Sequence, residues 1–195
     1  MTAYTYQMLN LTSLTFCSIP LLLFVQLNTI LHPWQSRKVL HIGTGTLFIL
    51  SDVYDWKVRF GIYTVSIVCS LIACFFSHAV PISDKNDTGI IAYLALCSFA
   101  AFMQIPFSLI APMFFADPAG ALVGKTFQSP TVYGKKTALG SLAVFLVAYL
   151  SLPGVYSWPE RAIHAFVICI VELLSGKFDN ALIGSYLILL VMHHA

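Results

Sequence analysis

Residues 88–125 read TGIIAYLALCSFAAFMQIPFSLIAPMFFADPAGALVGK, and they decide the fold class of this chain of 195 residues. The run from Thr88 to Ala116 contains no Asp, Glu, Lys or Arg, and it ends at a carboxylate, Asp117. A water-soluble domain seldom has so long an uncharged run, because its surface needs charged side chains. The stretch therefore predicts apolar helices with Asp117 at, or just inside, a membrane interface.

The rest of the chain has the same character. Hydrophobic residues make up 58% of it, charged residues 9%, and the mean hydropathy is +0.84, whereas a soluble domain has roughly 25% charged residues. Further charge-free runs are residues 1–36, 60–83, 137–159 and 180–195. Several of them reach the ~20 residues that cross a bilayer. The composition predicts an all-α, polytopic membrane bundle of seven or eight segments, with residues 1–195 as a single domain.

Apolar runs and their Pro or Gly breaks divide the chain into helical segments. We predict them at roughly 9–31, 39–52, 58–80, 89–105, 107–124, 138–156, 160–174 and 180–193. Pro106 and Pro112 leave open whether residues 88–116 form two short segments or one kinked span with a re-entrant piece. The first segment is expected to be retained, because no basic n-region precedes it.

Strict alternation of these segments distributes the basic residues unequally. One side receives Arg37, Lys38, Lys85, Lys125, Lys135, Lys136 and Lys177, and the other receives Lys57, Arg59 and Arg161. The positive-inside rule predicts that the first side faces the cytosol. The net charge of +2 is too small to indicate a nucleic-acid partner. Tryptophans flank the segments, as in an aromatic belt; they are Trp34, Trp56 and Trp158.

Asp117 is the first candidate for chemistry. A carboxylate so close to the membrane needs a partner, and a divalent cation is the obvious one. Gly120 and Gly124 follow on the same helical face, where the missing side chains admit either a second helix or a bulky ligand. Magnesium suits such an oxygen site, because it keeps several waters.

The lysines that follow are the second candidate. Lys125, Lys135 and Lys136 could neutralise phosphates, or they could be positive-inside residues without chemistry. Gly134 and Gly140 flank the last two, and we expect flexible backbone there with amides free to bind an anion. The GxxxxGK[ST] pattern of a Walker A loop is absent.

Three further sets of polar residues are candidates, and all of them except Glu172 lie on the predicted cytosolic side. Arg37 and Lys38 could contact phosphate, and His41, on the same helical face as Arg37, is either a structural residue or a general base. Glu172 is a carboxylate inside a predicted segment, so it either pairs with a lysine or helps to orient a metal. Asp179 is either a helix N-cap or a second metal ligand, and Asn180 would assist it or orient an acceptor hydroxyl.

The spacing of these residues resembles a known signature. Residues 117–127 read D-x-x-G-x-x-x-G-K-x-F, and residues 135–145 read K-K-T-x-x-G-S-x-A-x-F. Both resemble the CTP-binding motifs of the polyprenol kinase family, which includes phytol, farnesol and dolichol kinases and CTP-dependent diacylglycerol kinase. Residues 37–45, with R-K-x-x-H-x-x-x-G, resemble the early motif of that family, and Glu172 with Asp179-Asn180 resembles its late motif.

The resemblance implies a membrane enzyme that transfers the γ-phosphate of CTP to a lipid alcohol, with Mg²⁺ as cofactor. It implies that Asp117, Asp179 and Glu172 hold the metal, and that His41 and Asn180 act with the two aspartates at the acceptor. The nucleotide would contact Arg37, Lys38, Gly120, Gly124, Lys125, Lys135, Lys136, Thr137 and Gly140. The active site would face the cytosol, in the endoplasmic reticulum of a eukaryote or the plasma membrane of a prokaryote.

Other functions fit the sequence as well. A CTP-dependent diacylglycerol kinase would have the same nucleotide site and a different groove for the lipid. Leu139 lies where dolichol kinases have Glu, and phytol kinases are more similar there. A phosphatidate cytidylyltransferase is a more distant alternative, because its terminal signature is absent. A catalytically silent scaffold is the alternative outside enzymes; a transporter would be expected to show inverted repeats, which we do not find.

Overall fold

A computed structural model describes residues 31–75 and 88–194, and it shows a helical protein. The described residues form seven α-helices: α1 (Pro33–Leu50), α2 (Trp56–Phe75), α3 (Thr88–Phe102), α4 (Ala111–Thr126), α5 (Ala138–Ser151), α6 (Trp158–Ser175) and α7 (Asp179–His194). Two single turns of 3₁₀ helix, Phe107–Ile110 and Gly176–Phe178, precede α4 and α7. The all-α class is confirmed. Residues 9–30 of the predicted first segment, residues 76–80 of the segment predicted at 58–80, and Lys85 lie outside the described residues.

The prediction for the start of α1 was wrong. We expected a helix from residue 39, with Pro33 as the break before it, but Pro33 is the first residue of α1. Proline suits that position, because the first helical N–H needs no partner and the ring already has a helical φ. The backbone N–H of His32 donates to Gln35 Oε1 at 3.2 Å, which closes this end of the helix. Trp34 and Lys38 therefore lie on the first turns of α1.

The apolar stretch 88–126 forms two separate helical pieces. α3 ends at Phe102, and the chain turns through Gln104, whose φ is +55°. By length and composition, one helical stretch of the described chain, Phe107–Thr126, could cross a membrane. Three apolar helices are shorter: Gly89–Phe102, Ala138–Ser151 and Asp179–His193. A core helix of a soluble protein can meet the same criteria, so the polytopic arrangement remains a prediction.

An unpredicted β-hairpin joins α4 to α5. Thr131–Tyr133 (β1) pairs antiparallel with Lys136–Thr137 (β2), and Gly134 has a φ of +56° in the turn, where a side chain would be strained. We expected free amides here, but those that open α5 already have partners. They donate to Pro130 O at 2.9 Å, Ser129 Oγ at 3.1 Å and Thr137 Oγ1 at 3.3 Å.

The core lies along α4, which packs against α1, α5 and α7. Aromatic rings from three helices meet there: Phe114 lies 5.9 Å from Tyr93 and 6.4 Å from Phe48, measured between ring centroids. Phe107 stacks on Phe48 at 5.1 Å. These contacts hold α1 and α3 against α4, so the polar side of α4 is held in a constant position relative to both.

Glycines set the distance between α4 and α5. A Cβ on Gly140 would lie 3.0 Å from the carbonyl oxygen of Gly120 and 3.3 Å from Cα of Gly124. A Cβ on Gly120 would overlap the side chain of Val144. The sequence left open whether Gly120 and Gly124 make room for another helix or for a bulky ligand. In the structure, helix α5 packs against them. The close approach brings the hairpin and the start of α5 against the polar side of α4.

Gly140→Ala is therefore expected to destabilise the protein by about 1–3 kcal/mol, because the new methyl group meets backbone atoms on two sides. Gly43→Ala is the matched control. Among the described residues, and leaving aside its chain neighbours and the backbone of its own helix, nothing lies within 4 Å of a Cβ built on Gly43, so this variant is expected to gain roughly 0.5–1 kcal/mol from helix propensity. Thermal unfolding of both variants in detergent measures the contrast. Equal transition temperatures would contradict the packing argument.

Candidate functional site

Five helix ends meet at one end of the bundle: the starts of α1, α5 and α7 and the ends of α4 and α6. Three carboxylates lie there. One oxygen each from Asp117, Glu172 and Asp179 can be chosen so that all three lie within 4.8 Å of one another. Asp117 and Glu172 are buried, and Asp179 is partly exposed. Three negative charges so close together in a shielded place require cations.

Two lysines provide positive charge at these carboxylates. Lys38 Nζ donates to Asp117 Oδ2 at 2.5 Å. Lys136 Nζ donates to Glu172 Oε1 and lies 3.7 Å from Asp179 Oδ2. Both lysines keep access to solvent, with side-chain exposures of 26% for Lys38 and 30% for Lys136, whereas those of Asp117 and Glu172 are 5% and 4%. The carboxylates therefore form the inner layer of the site and the ammonium groups the outer layer.

The electrostatic balance is visible in the pKa of Lys136, which lies in the hairpin and outside the apolar helices. Burial disfavours the charge on Lys136, but the hydrogen bond and charge of Glu172, with the charges of Asp179 and Asp117, outweigh it and raise the pKa of Lys136. Two lysines pair with three carboxylates, so an excess of negative charge remains at the acidic cluster, which favours a further cation.

The carboxylates and lysines line a cavity of about 270 Å³. Its walls are formed by Lys38, Asp117, Gly120, Ala121, Gly124, Lys125, Lys135, Lys136, Thr137, Gly140, Ser141, Glu172 and Asp179. The pocket thus combines three carboxylates with four lysine side chains, and glycines form part of its wall. This is the charge pattern of a site for a phosphorylated ligand with its metal.

Comparison of the chain with models of protein families, with curated proteins and with solved structures gave no match. The functional assignment therefore rests on the cavity and its residues. Most of the residues singled out in the sequence lie on its wall, although they come from five different helices and a hairpin.

Three of those residues do not line the cavity; they are Arg37, His41 and Asn180. His41 Nε2 lies 3.1 Å from the carbonyl oxygen of Met113, which can only accept, so this nitrogen carries the proton. The His41 ring also packs edge-on against Tyr93, with 4.3 Å between centroids. These contacts favour the structural role that the sequence left open for His41 over that of a general base.

Asp179 and Asn180 begin α7 beside the acidic cluster. Asp179 Oδ1 accepts from the backbone N–H of the next residue, Asn180, at 2.8 Å, and the other carboxylate oxygen lies 3.7 Å from Lys136 Nζ. The backbone of Asp179 is already helical, with φ −53° and ψ −53°, so it is the first residue of α7 and not its N-cap, which would have extended dihedrals. Its role as a metal ligand stays a prediction. Asn180 Oδ1 is buried and has no hydrogen-bond partner in the described structure. Glu172 has the lysine partner that was one of its two predicted roles.

Sequence reasoning missed two features of the cavity. Ala121 and Ser141 lie on its wall, next to glycines that were singled out. Lys125 Nζ lies over the indole ring of Trp34, 4.1 Å from its centroid. Trp34 precedes Lys38 by four residues, a spacing that places both on one helical face, and this was the available signal.

The donor set fits a divalent cation that prefers oxygen. The three carboxylate oxygens lie within 4.8 Å of one another, close enough for two or three of them to bind one Mg²⁺, which would keep waters as its other ligands. A metal and the ammonium groups of Lys38 and Lys136 would compete for the same oxygens.

Proposed function

We propose that this protein is a CTP-dependent kinase of the polyprenol kinase type, which transfers the γ-phosphate of the nucleotide to the hydroxyl of a membrane lipid alcohol. One observation carries the proposal. Asp117, Glu172 and Asp179 converge within 4.8 Å, and lysines surround them in one cavity. Phosphoryl transfer needs charge neutralisation and in-line positioning, and such a constellation can supply both.

The carboxylates and the lysines of the cavity would have different roles. Asp117, Asp179 and Glu172 would hold Mg²⁺, which supplies charge neutralisation on the phosphate oxygens when bound. Lys38 and Lys136 would transfer their hydrogen bonds from a carboxylate to a phosphate, because both side chains are partly exposed and line the cavity. Lys125 and Lys135 also line the cavity and would bind the outer phosphates.

The reaction itself balances without a covalent intermediate. The alcohol oxygen forms a bond to the γ-phosphorus, and the bond from that phosphorus to the β,γ-bridging oxygen breaks, which leaves CDP. The hydroxyl proton passes to solvent or to a neighbouring carboxylate. Asp179 is the candidate acceptor, because it is the most exposed member of the acidic cluster, with a side-chain exposure of 15%.

The outer surfaces of the helices support a lipid environment. On α5, Val144 and Ala148 are buried, yet the opposite face is apolar as well. Large apolar side chains recur at helical spacing on exposed faces of α5 and α6: Leu142, Leu146 and Leu150, and Ile163, Phe166, Ile170 and Leu174. A helix that is apolar all round belongs in a core or a membrane. We propose the multi-pass arrangement on this ground, with the cavity on the cytosolic side that the basic residues favour.

A transfer assay tests the proposal directly. The purified protein in detergent receives Mg²⁺ and either CTP or ATP labelled at the γ-phosphate, with phytol, farnesol, dolichol or diacylglycerol as acceptor. We expect a labelled lipid phosphate with CTP, and the acceptor that gives it names the substrate. CTP labelled at the α-phosphate is the control, because label in the lipid would then indicate cytidylyl transfer. No labelled lipid with any pair, from a folded protein, would overturn the proposal in favour of a silent scaffold.

A further inference from the structure

The indole ring of Trp34 lies beside the cavity and is half-buried at the start of α1. Trp34 does not line the cavity itself. Its ring is covered by the ammonium group of Lys125, 4.1 Å from the ring centroid, and Lys125 is part of the cavity wall. Lys38, one helical turn further along α1, reaches Asp117 at 2.5 Å. One face of α1 thus presents an aromatic surface and then a lysine towards the acidic cluster.

These groups follow one another in the order of the parts of a nucleotide. The carboxylates suit the metal, the lysines suit the phosphates, and an aromatic face beyond them suits a planar base. Aromatic side chains bind bases by stacking, without selecting one base strongly, because every base has a π-face. We propose that Trp34 is the surface on which the base of the phosphoryl donor stacks, with Lys125 moving from the ring to a phosphate. This inference rests on the proposed function.

Trp158 also lies under a cationic side chain, but it is far from the cavity, so a cation over an indole ring does not by itself indicate a nucleotide site. Arg161 lies over Trp158, 4.9 Å from the ring centroid, and Trp158 also packs against Tyr149 at 5.9 Å. Trp158 begins α6, whereas Glu172 lies near its other end, about 20 Å along the helix axis. Trp158 is therefore far from the cavity and provides the matched control.

Fluorescence tests the inference in the full chain. Replacing Trp56 and Trp158 with Phe leaves Trp34 as the reporter, and this variant is titrated with CTP and, separately, with inorganic tripolyphosphate, both with Mg²⁺. We expect CTP to quench Trp34, because the base stacks on the indole. We expect Trp34→Leu to weaken CTP binding, measured by calorimetry, by about tenfold or more, and to change tripolyphosphate binding less than about twofold. Trp34→Phe should retain most of the CTP affinity, and Trp158→Leu should retain all of it.

Two outcomes overturn the inference alone. Unchanged CTP affinity in Trp34→Leu would show that no base stacks there. Equal weakening of CTP and tripolyphosphate would show that Trp34 only positions Lys125. Failure of the proposed function looks different, since the wild-type protein would then give no labelled lipid in the transfer assay. Wild-type protein that binds neither CTP nor tripolyphosphate would overturn both the proposed function and this inference. If Trp34→Leu does not fold, the fluorescence titration decides: quenching of Trp34 by CTP and not by tripolyphosphate supports the inference, and no quenching by CTP overturns it.

Discussion

Asp117→Asn is expected to abolish phosphoryl transfer while the protein stays folded. The substitution keeps the shape of the side chain and removes the charge that would hold the metal. A metal supplies several kcal/mol of transition-state stabilisation, so the loss of about 4 kcal/mol predicts a rate lower by roughly a thousandfold. The transfer assay with CTP and the accepted lipid alcohol measures it, and manganese binding followed by electron paramagnetic resonance tests the metal separately.

Stability should change little in this variant. The substitution removes the ion pair with Lys38, which destabilises the protein, although Lys38 is partly exposed and can turn towards water. It also removes the desolvation cost of a charge on Asp117, whose side chain is 5% exposed. These two effects oppose each other, and we expect a net change in stability within about 1 kcal/mol. Asp52→Asn is the matched control, because Asp52 caps the turn after α1 by accepting from the N–H of Tyr54 at 2.9 Å. Full activity in Asp117→Asn would refute the metal assignment.

Lys136→Ala is expected to lower both stability and nucleotide affinity. Glu172, with 4% side-chain exposure, would lose the ammonium group that pairs with it. Breaking a buried pair costs about 3–5 kcal/mol, and the partial exposure of Lys136 reduces this to roughly 2 kcal/mol. Loss of a charge-assisted contact to phosphate should weaken CTP binding about tenfold or more. Thermal unfolding and calorimetric titration with CTP measure the two effects.

Two further variants separate the causes. Lys136→Ala combined with Glu172→Gln removes both charges, so it should recover much of the lost stability without recovering CTP affinity. Lys135→Ala removes the neighbouring lysine, which is exposed in the hairpin turn, and it should leave the unfolding temperature nearly unchanged. If the double variant is as unstable as Lys136→Ala, the unpaired charge of Glu172 is not the origin of the effect.

Much of the helical architecture was predictable from local pattern. The breaks at Pro106 and before Lys177 separate real helices, because proline and glycine act on the backbone within one turn. The start of α1 was misplaced, since Pro33 was treated as a break although proline is favoured at a first helical position. The hairpin was missed because its strands are three and two residues long, too short to show an alternation of apolar and polar residues.

The order of the amino acids is enough to tell which residues are charged, which segments are apolar helices, and that the polar residues gather near helix ends. Which of these polar residues meet depends on how the helices pack. Lys38 and Asp117 are separated by 79 residues, and Lys136 and Glu172 by 36. Periodicity is a local property that assigns a residue to a helix face. Which helix lies opposite depends on packing, and here glycines at the contact between α4 and α5 and the aromatic core around Phe114 decide it.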